Sequence, residues 1–115
     1  MPRERAGGSR LGLLLDVVRQ TLDQDWPVER LAAEAATSVR ALHRRFREAV
    51  GKSPAAWLRS ERVAHARELL EVSTLPIDEV AVTCGFGSAA TLRHHFRAIL
   101  GCSPANYRAR FMTNT

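Results

Sequence analysis

The sequence predicts an all-α domain of seven helices, arranged as two copies of one helical unit joined by a long linker helix. Three observations carry that prediction. Apolar residues recur at helical spacing along nearly the whole chain, with no sustained period-two alternation and little β-branched clustering. Ser, Gly and Ser-Pro stand where helices would start and stop. Residues 38–55 recur at 88–105 with eight identities in eighteen positions: Ser38/Ser88, Leu42/Leu92, Phe46/Phe96, Arg47/Arg97, Gly51/Gly101, Ser53/Ser103, Pro54/Pro104 and Ala55/Ala105. Trp57 and Tyr107 extend the correspondence as aromatics. Two copies are too few for a solenoid and fit a duplicated unit.

Each element has its own signal. Residues 1–9 are polar and contain Gly, which reads as a flexible tail. A first helix is predicted over about 10–24, with Leu11, Leu14, Leu15, Val18 and Leu22 on one stripe. Pro27 suits the first position of a short second helix that turns Val28, Leu31, Ala32 and Ala35 inward. Ser38 caps a third helix over 39–50, closed by Gly51. Ser53-Pro54 starts the linker helix, 54–72, and Ser73, Thr74 and Pro76 break it. The fifth helix carries Ile77, Val80, Ala81 and Cys84 at i, i+3, i+4 and i+7. After a Gly85-Phe86-Gly87 turn, Ser88 caps a sixth helix over 89–100 that Gly101 ends. Ser103-Pro104 opens a seventh, running to near Phe111. The domain thus covers about 10–112, with lobe one over about 10–53, the linker 54–72 and lobe two over about 73–112. Each lobe reads as a helix-turn-helix.

A chain of 115 residues fits one compact domain that needs no disulfide or metal. Its net charge of +5 and pI of about 10.5 suggest a polyanionic partner. The charge is not spread evenly. Residues 38–62 hold Arg40, Arg44, Arg45, Arg47, Lys52, Arg59 and Arg62 against Glu48 and Glu61. Residues 88–111 hold Arg93, Arg97, Arg108 and Arg110 with no acid, whereas 1–37 and 63–87 are net negative. Cys84 and Cys102 make neither a disulfide framework nor a four-ligand zinc site, and read as core filler in a reducing cytoplasm. No signal peptide and no apolar run of membrane-spanning length is visible.

In the third helix Leu42, Phe46, Ala49 and Val50 read as the inward face, and Arg40, His43, Arg44 and Arg47 fall on the outward one. Like charges so placed destabilise an isolated helix, and a polyanion alongside reverses that effect. In the sixth helix Leu92, Phe96, Ile99 and Leu100 read inward, and Ala89, Ala90, Arg93, His94 and Arg97 outward. Arg can bridge guanine O6 and N7 in the major groove of double-stranded DNA, and His can meet base edges. Ser38 and Ser88 put a helix N-terminus and a hydroxyl where a phosphate could dock. Arg47, Arg97 and Thr91 lie where they would also hold phosphates.

The run LPIDEVAVTCGFGSAATLRHHFRAILGCSPANYRARF (75–111), with Ile77, Ala81, Gly85-Phe86, Phe96, Gly101, Ser103-Pro104 and Tyr107-Arg108, resembles the AraC family of bacterial transcription regulators. VERLAAEAATSVRALHRRFREAVGKSPAAWLRSERVAHARELL (28–70) carries the likeness through the first half. Within the family the chain is similar to members with a DJ-1/PfpI-like amino-terminal domain. The resemblance implies two recognition helices, about 39–50 and 89–100, in successive major-groove segments. It implies base contacts from Arg40, His43 and Arg44, and from Ala89, Ala90, Arg93 and His94. Ala89 and Ala90 depart from the polar residues common there, so lobe two reads fewer bases or reads thymine methyls. It also implies RNA polymerase as a partner and a cytoplasmic, nucleoid-associated location. The family's effector domain is absent from this chain, and the isolated domain is expected to be a monomer.

No nucleophile–base pair, phosphate-binding glycine loop or metal set is visible, so the expectation is a non-enzyme without cofactor or metal. His94-His95 resembles a metal pair, but adjacent helical residues point about 100° apart. Two other readings compete: a domain that docks on RNA polymerase or another regulator without reading DNA, and an RNA binder. The deep, narrow major groove of A-form RNA argues against the latter.

Overall fold

A computed structural model of the protein describes residues 3–113, with side chains described over residues 10–112. The seven helices are α1 (Arg3–Gln20), α2 (Val28–Glu34), α3 (Val39–Val50), α4 (Pro54–Val72), α5 (Ile77–Thr83), α6 (Ala89–Leu100) and α7 (Pro104–Thr113). They form two units, one ending at Leu58 and the other starting at Arg59, so the division falls within α4.

The boundaries of α3, α4 and α6 are those the capping residues predict. Ser38 and Ser88 are extended, and their hydroxyl oxygens accept from the Ala41 and Thr91 amides. Gly51 and Gly101 close the same helices at φ 82° and 81°, a left-handed conformation in which a β-carbon would be strained. Ser53 and Ser103 cap α4 and α7 through the Ala56 and Asn106 amides. Pro54 and Pro104 follow them, fully buried.

Two expectations are corrected here. The first helix begins at Arg3 instead of near residue 10, so residues 3–9 of the expected tail are helical in backbone; residues 1 and 2 lie outside the described residues. It ends at Gln20 instead of residue 24 because the Trp26 indole donates to the Thr21 carbonyl at 3.0 Å and holds a turn there. Arg30 fixes the same connection by donating to the Asp25 carbonyl and Gln24 amide while stacking 3.9 Å over Trp26. Pro27 is an extended N-cap rather than the first helical residue, and Pro76 stands in the same position before α5.

Both helix-turn-helix turns use one device. The Thr37 amide reaches back to the Ala32 carbonyl, and the Phe86 amide to that of Ala81, around a left-handed residue. In unit 1 that residue is Ala36 at φ 55°; in unit 2 it is Gly85 at φ 92°. The second turn also contains Gly87 at φ 82°, one residue more. This insertion explains why α2 and α5 start 49 residues apart but α3 and α6 start 50 apart.

Each unit has its own core. Unit 1 buries Leu11, Leu14, Val18, Trp26, Leu31, Leu42, Phe46 and Trp57, with Phe46 and Trp57 edge to face at 5.7 Å. Unit 2 buries Val63, Leu70, Val80, Cys84, Leu92 and Phe96, with Tyr107 packed edge to face on Phe96. Burial pushes the Cys84 thiol up to about 12, so it stays protonated and acts as an apolar filler. Both cysteines are buried and free.

Arg108 has a role that its place in a basic block does not reveal. It is half-buried, and its guanidinium donates to the carbonyls of Leu70 (3.4 Å), Leu75 (2.6 Å) and Ser73 (3.1 Å), the end of α4 and the segment after it. Helix ends leave such carbonyls without internal partners. Beside it, the Tyr107 hydroxyl donates to Glu71, which together with burial raises the tyrosine pKa. Arg108→Ala should cost unit 2 about 2–3 kcal/mol, because charge-assisted bonds are lost and carbonyls are left bare. Urea denaturation checks this; a change within about 0.5 kcal/mol, the size of an ordinary surface substitution, would count against it.

Candidate nucleic-acid interface

The helix after each turn, α3 or α6, presents a basic outer face. On α3 the side chains of Arg40, His43, Arg44, Arg45 and Arg47 are exposed, while Leu42 and Phe46 are fully buried. On α6 Ala90, Thr91, Arg93, His94 and Arg97 are exposed, over buried Leu92 and Phe96. Of the residues read from the sequence as base or phosphate contacts, Ser38 and Ser88 cap these helices, and all but one of the others lie on the outer faces.

The exception is Ala89, which is only 8% exposed and belongs to the interior. With about 100° per residue, the buried stripe of Leu92, Phe96 and Leu100 centres near Phe96. Ala89 falls within about 20° of that centre and Ile99 about 60° away. Ile99 is accordingly 45% exposed instead of inward. Ala49, also expected inward, is exposed in the same way on α3.

The outer arginines are electrostatically unspent. Arg19 pairs with Asp16, Arg67 with Glu71 and, when His65 is charged, His65 with Glu68. None involves Arg40, Arg44, Arg45, Arg47, Arg93 or Arg97. Guanidinium groups held on a rigid helix without acidic partners can engage carboxylate, phosphate or guanine edges in bidentate fashion.

The outer face of α6 is open and nearly flat. Ala90, Arg93, His94, Arg97 and Ala98 line a shallow, open depression along it. At the start of α6 the Ser88 and Thr91 hydroxyl oxygens lie 3.1 Å apart. One hydroxyl proton therefore sits between them, and the pair keeps one more to donate outward. Next to His94, the half-buried His95 ring stacks on Phe86. Burial, then His94 and Arg59, hold the His95 pKa below the usual histidine range. Among the described residues no group of His, Cys, Asp and Glu could hold a metal ion, and no helix is long and apolar enough to cross a membrane.

Known proteins share this arrangement. A family model described as a helix-turn-helix domain matches residues 31–110. The transcriptional activator RhaR of Pectobacterium atrosepticum is 32% identical over 107 residues, 93% of this chain and 38% of RhaR. The chain thus spans under two-fifths of that relative. The DNA-binding domain of AdpA, a global transcriptional factor solved in complex with a target DNA, superposes with a TM-score of 0.89 at 44% identity, covering 91% of this chain and 95% of that one. An AraC-type regulator from Chromobacterium violaceum shares the fold, with a TM-score of 0.83 at 21% identity over 93% of this chain and 96% of its own. The sequence likeness, the seven-helix architecture and the paired basic helices agree, and the chain belongs to the AraC-type helix-turn-helix family.

Proposed function

We propose that this chain is a sequence-specific reader of double-stranded DNA within a transcription regulator, and that α3 and α6 enter successive major-groove segments. The observation that carries this reading is the duplicated outer face, whose exposed arginines have no acidic partners among the described residues. The AdpA domain's crystallisation with its target DNA supports it. On α3, Arg40, His43 and Arg44 read base edges. On α6, Arg93 and His94 do so, with Ala90 giving the groove room to approach. Ser38, Arg47, Ser88, Thr91 and Arg97 hold phosphates, the Ser88–Thr91 pair through its one outward proton.

Phosphate contacts set register and most of the salt-dependent affinity, while base-edge contacts set sequence. Because α6 has Ala90 where α3 has Arg40, lobe one makes more base contacts than lobe two. The domain acts as a monomer on an asymmetric site, and the regulator that contains it engages RNA polymerase.

Selection of bound duplexes from a random library tests this reading. Two enriched boxes about one helical turn apart are expected, the first more strongly specified. A single box would leave α6 as a backbone clamp. No enrichment by a folded domain would overturn sequence reading and favour docking on another protein.

A further inference from the structure

We propose that His43 and Arg44 on α3, and Arg93 and His94 on α6, fill one pair of base-reading positions in opposite order. The guanine that α6 prefers therefore stands a base step away from the place that the Arg44 guanine takes in its own box. The proposal rests on the DNA-binding reading above and names the residues that make the two boxes differ.

The two helices present these positions alike. Each is 12 residues long, starts after a serine whose hydroxyl accepts from the amide three residues ahead, and ends at a left-handed glycine. Leu42 and Phe46 on α3, and Leu92 and Phe96 on α6, are fully buried. At about 100° per residue, the residue midway between each buried pair points outward. That residue is Arg44 on α3 and His94 on α6. The residue before it lies about 100° to one side, and is His43 on α3 but Arg93 on α6. All four side chains are exposed. Arg47 and Arg97 follow on that same side in equivalent places, so both helices would seat on phosphates in the same way.

The histidine of α6 also has a support that Arg44 lacks. His95 lies on Phe86 with ring centroids 5.6 Å apart and planes 25° apart. The His94 ring meets His95 edge to face at 4.9 Å. Phe86, His95 and His94 thus form a row of rings from the turn before α6 to its outer face. In the corresponding places unit 1 has Thr37, whose amide closes the turn as that of Phe86 does, then Arg45 and Arg44. A ring already oriented gives up little freedom on meeting a base.

A guanidinium can give two N–H bonds to guanine O6 and N7, whereas an imidazole reaches a base edge through one nitrogen. The position that holds arginine is therefore the strongly specified one of each pair. Consecutive α-carbons are about 3.8 Å apart, and their side chains diverge from there. Successive base pairs are about 3.4 Å apart. Reversing the order of arginine and histidine thus carries the guanidinium across about one base step, while composition and charge stay the same.

The test repeats the random-library selection with the wild-type chain, with Arg93→His/His94→Arg and with His94→Arg alone. Box one is identified as the one that Arg44→Ala relaxes. The double variant keeps the charge and touches only exposed side chains, and its circular dichroism and melting should match the wild type. Its selected box one should be unchanged, while the preferred guanine of box two moves to a neighbouring base pair. Its affinity for the wild-type duplex should fall roughly tenfold, the discrimination of one bidentate contact. His94→Arg alone should add a second preferred guanine beside the first. A double variant that selects the wild-type box two, or loses box two with no new guanine, overturns the proposal and leaves the DNA-binding reading intact. A wild-type chain that enriches box one alone also overturns it. A folded wild-type chain that enriches no box overturns both.

Discussion

Phe96→Ala is expected to destabilise unit 2 by about 3–5 kcal/mol, the cost of emptying a large aromatic site in a packed core. Phe96 is fully buried and supports Tyr107, which faces it edge-on at 5.7 Å. Folded chains hold roughly 0.05–0.15 kcal/mol per residue, so half of this one holds only about 3–8 kcal/mol. The substitution thus removes most of what keeps unit 2 folded. Amide hydrogen exchange distinguishes the units: α5, α6 and α7 should lose protection, while α2 and α3, around Leu42 and Phe46, keep theirs. Equal loss in both units would show that the two cores unfold as one.

Arg44→Ala is expected to weaken specific DNA binding by roughly 1–3 kcal/mol and to relax one base position, as loss of a bidentate guanine contact does. Its side chain is exposed on α3 with no ion pair among the described residues, so the fold should not notice its removal. Arg97→Ala is the comparison, since that α6 residue is exposed and is proposed to hold a phosphate. It should weaken all sequences alike and flatten the dependence of affinity on salt. Competition assays with single-base variants of the selected duplex separate the two. Uniform loss across all variants for Arg44→Ala would argue against base reading by that residue.

Helix ends were legible because they rest on local chemistry. Ser38 and Ser88 cap by reaching three residues ahead, and Gly51 and Gly101 supply a backbone conformation other residues resist. The outer arginines were legible for the same reason, since helical spacing alone puts Arg40, Arg44 and Arg47 together. Ala89 was missed although its signal was present. It stands three residues before Leu92 and seven before Phe96, which is the inward spacing, but small size read as suited to a groove. Arg108 could not be found this way. Its partners are carbonyls 33 to 38 residues earlier, a relation no local pattern encodes. His95 is similar: Phe86, in the turn before α6, stacks on it.

The distance along the chain between Arg108 and the carbonyls it serves also sets an order of events during synthesis. The core residues of unit 1 have all been made once Leu58 has been added. The end of α4 must wait for a side chain added 38 residues after Leu70. Until then its last carbonyls have only water, and Phe96 lacks its Tyr107 neighbour. A nascent chain thus passes through an interval in which one reading head can be complete and the other cannot. On the proposed reading, termination between Leu58 and α7 would release a chain holding the unit 1 core and α3 but not a finished unit 2.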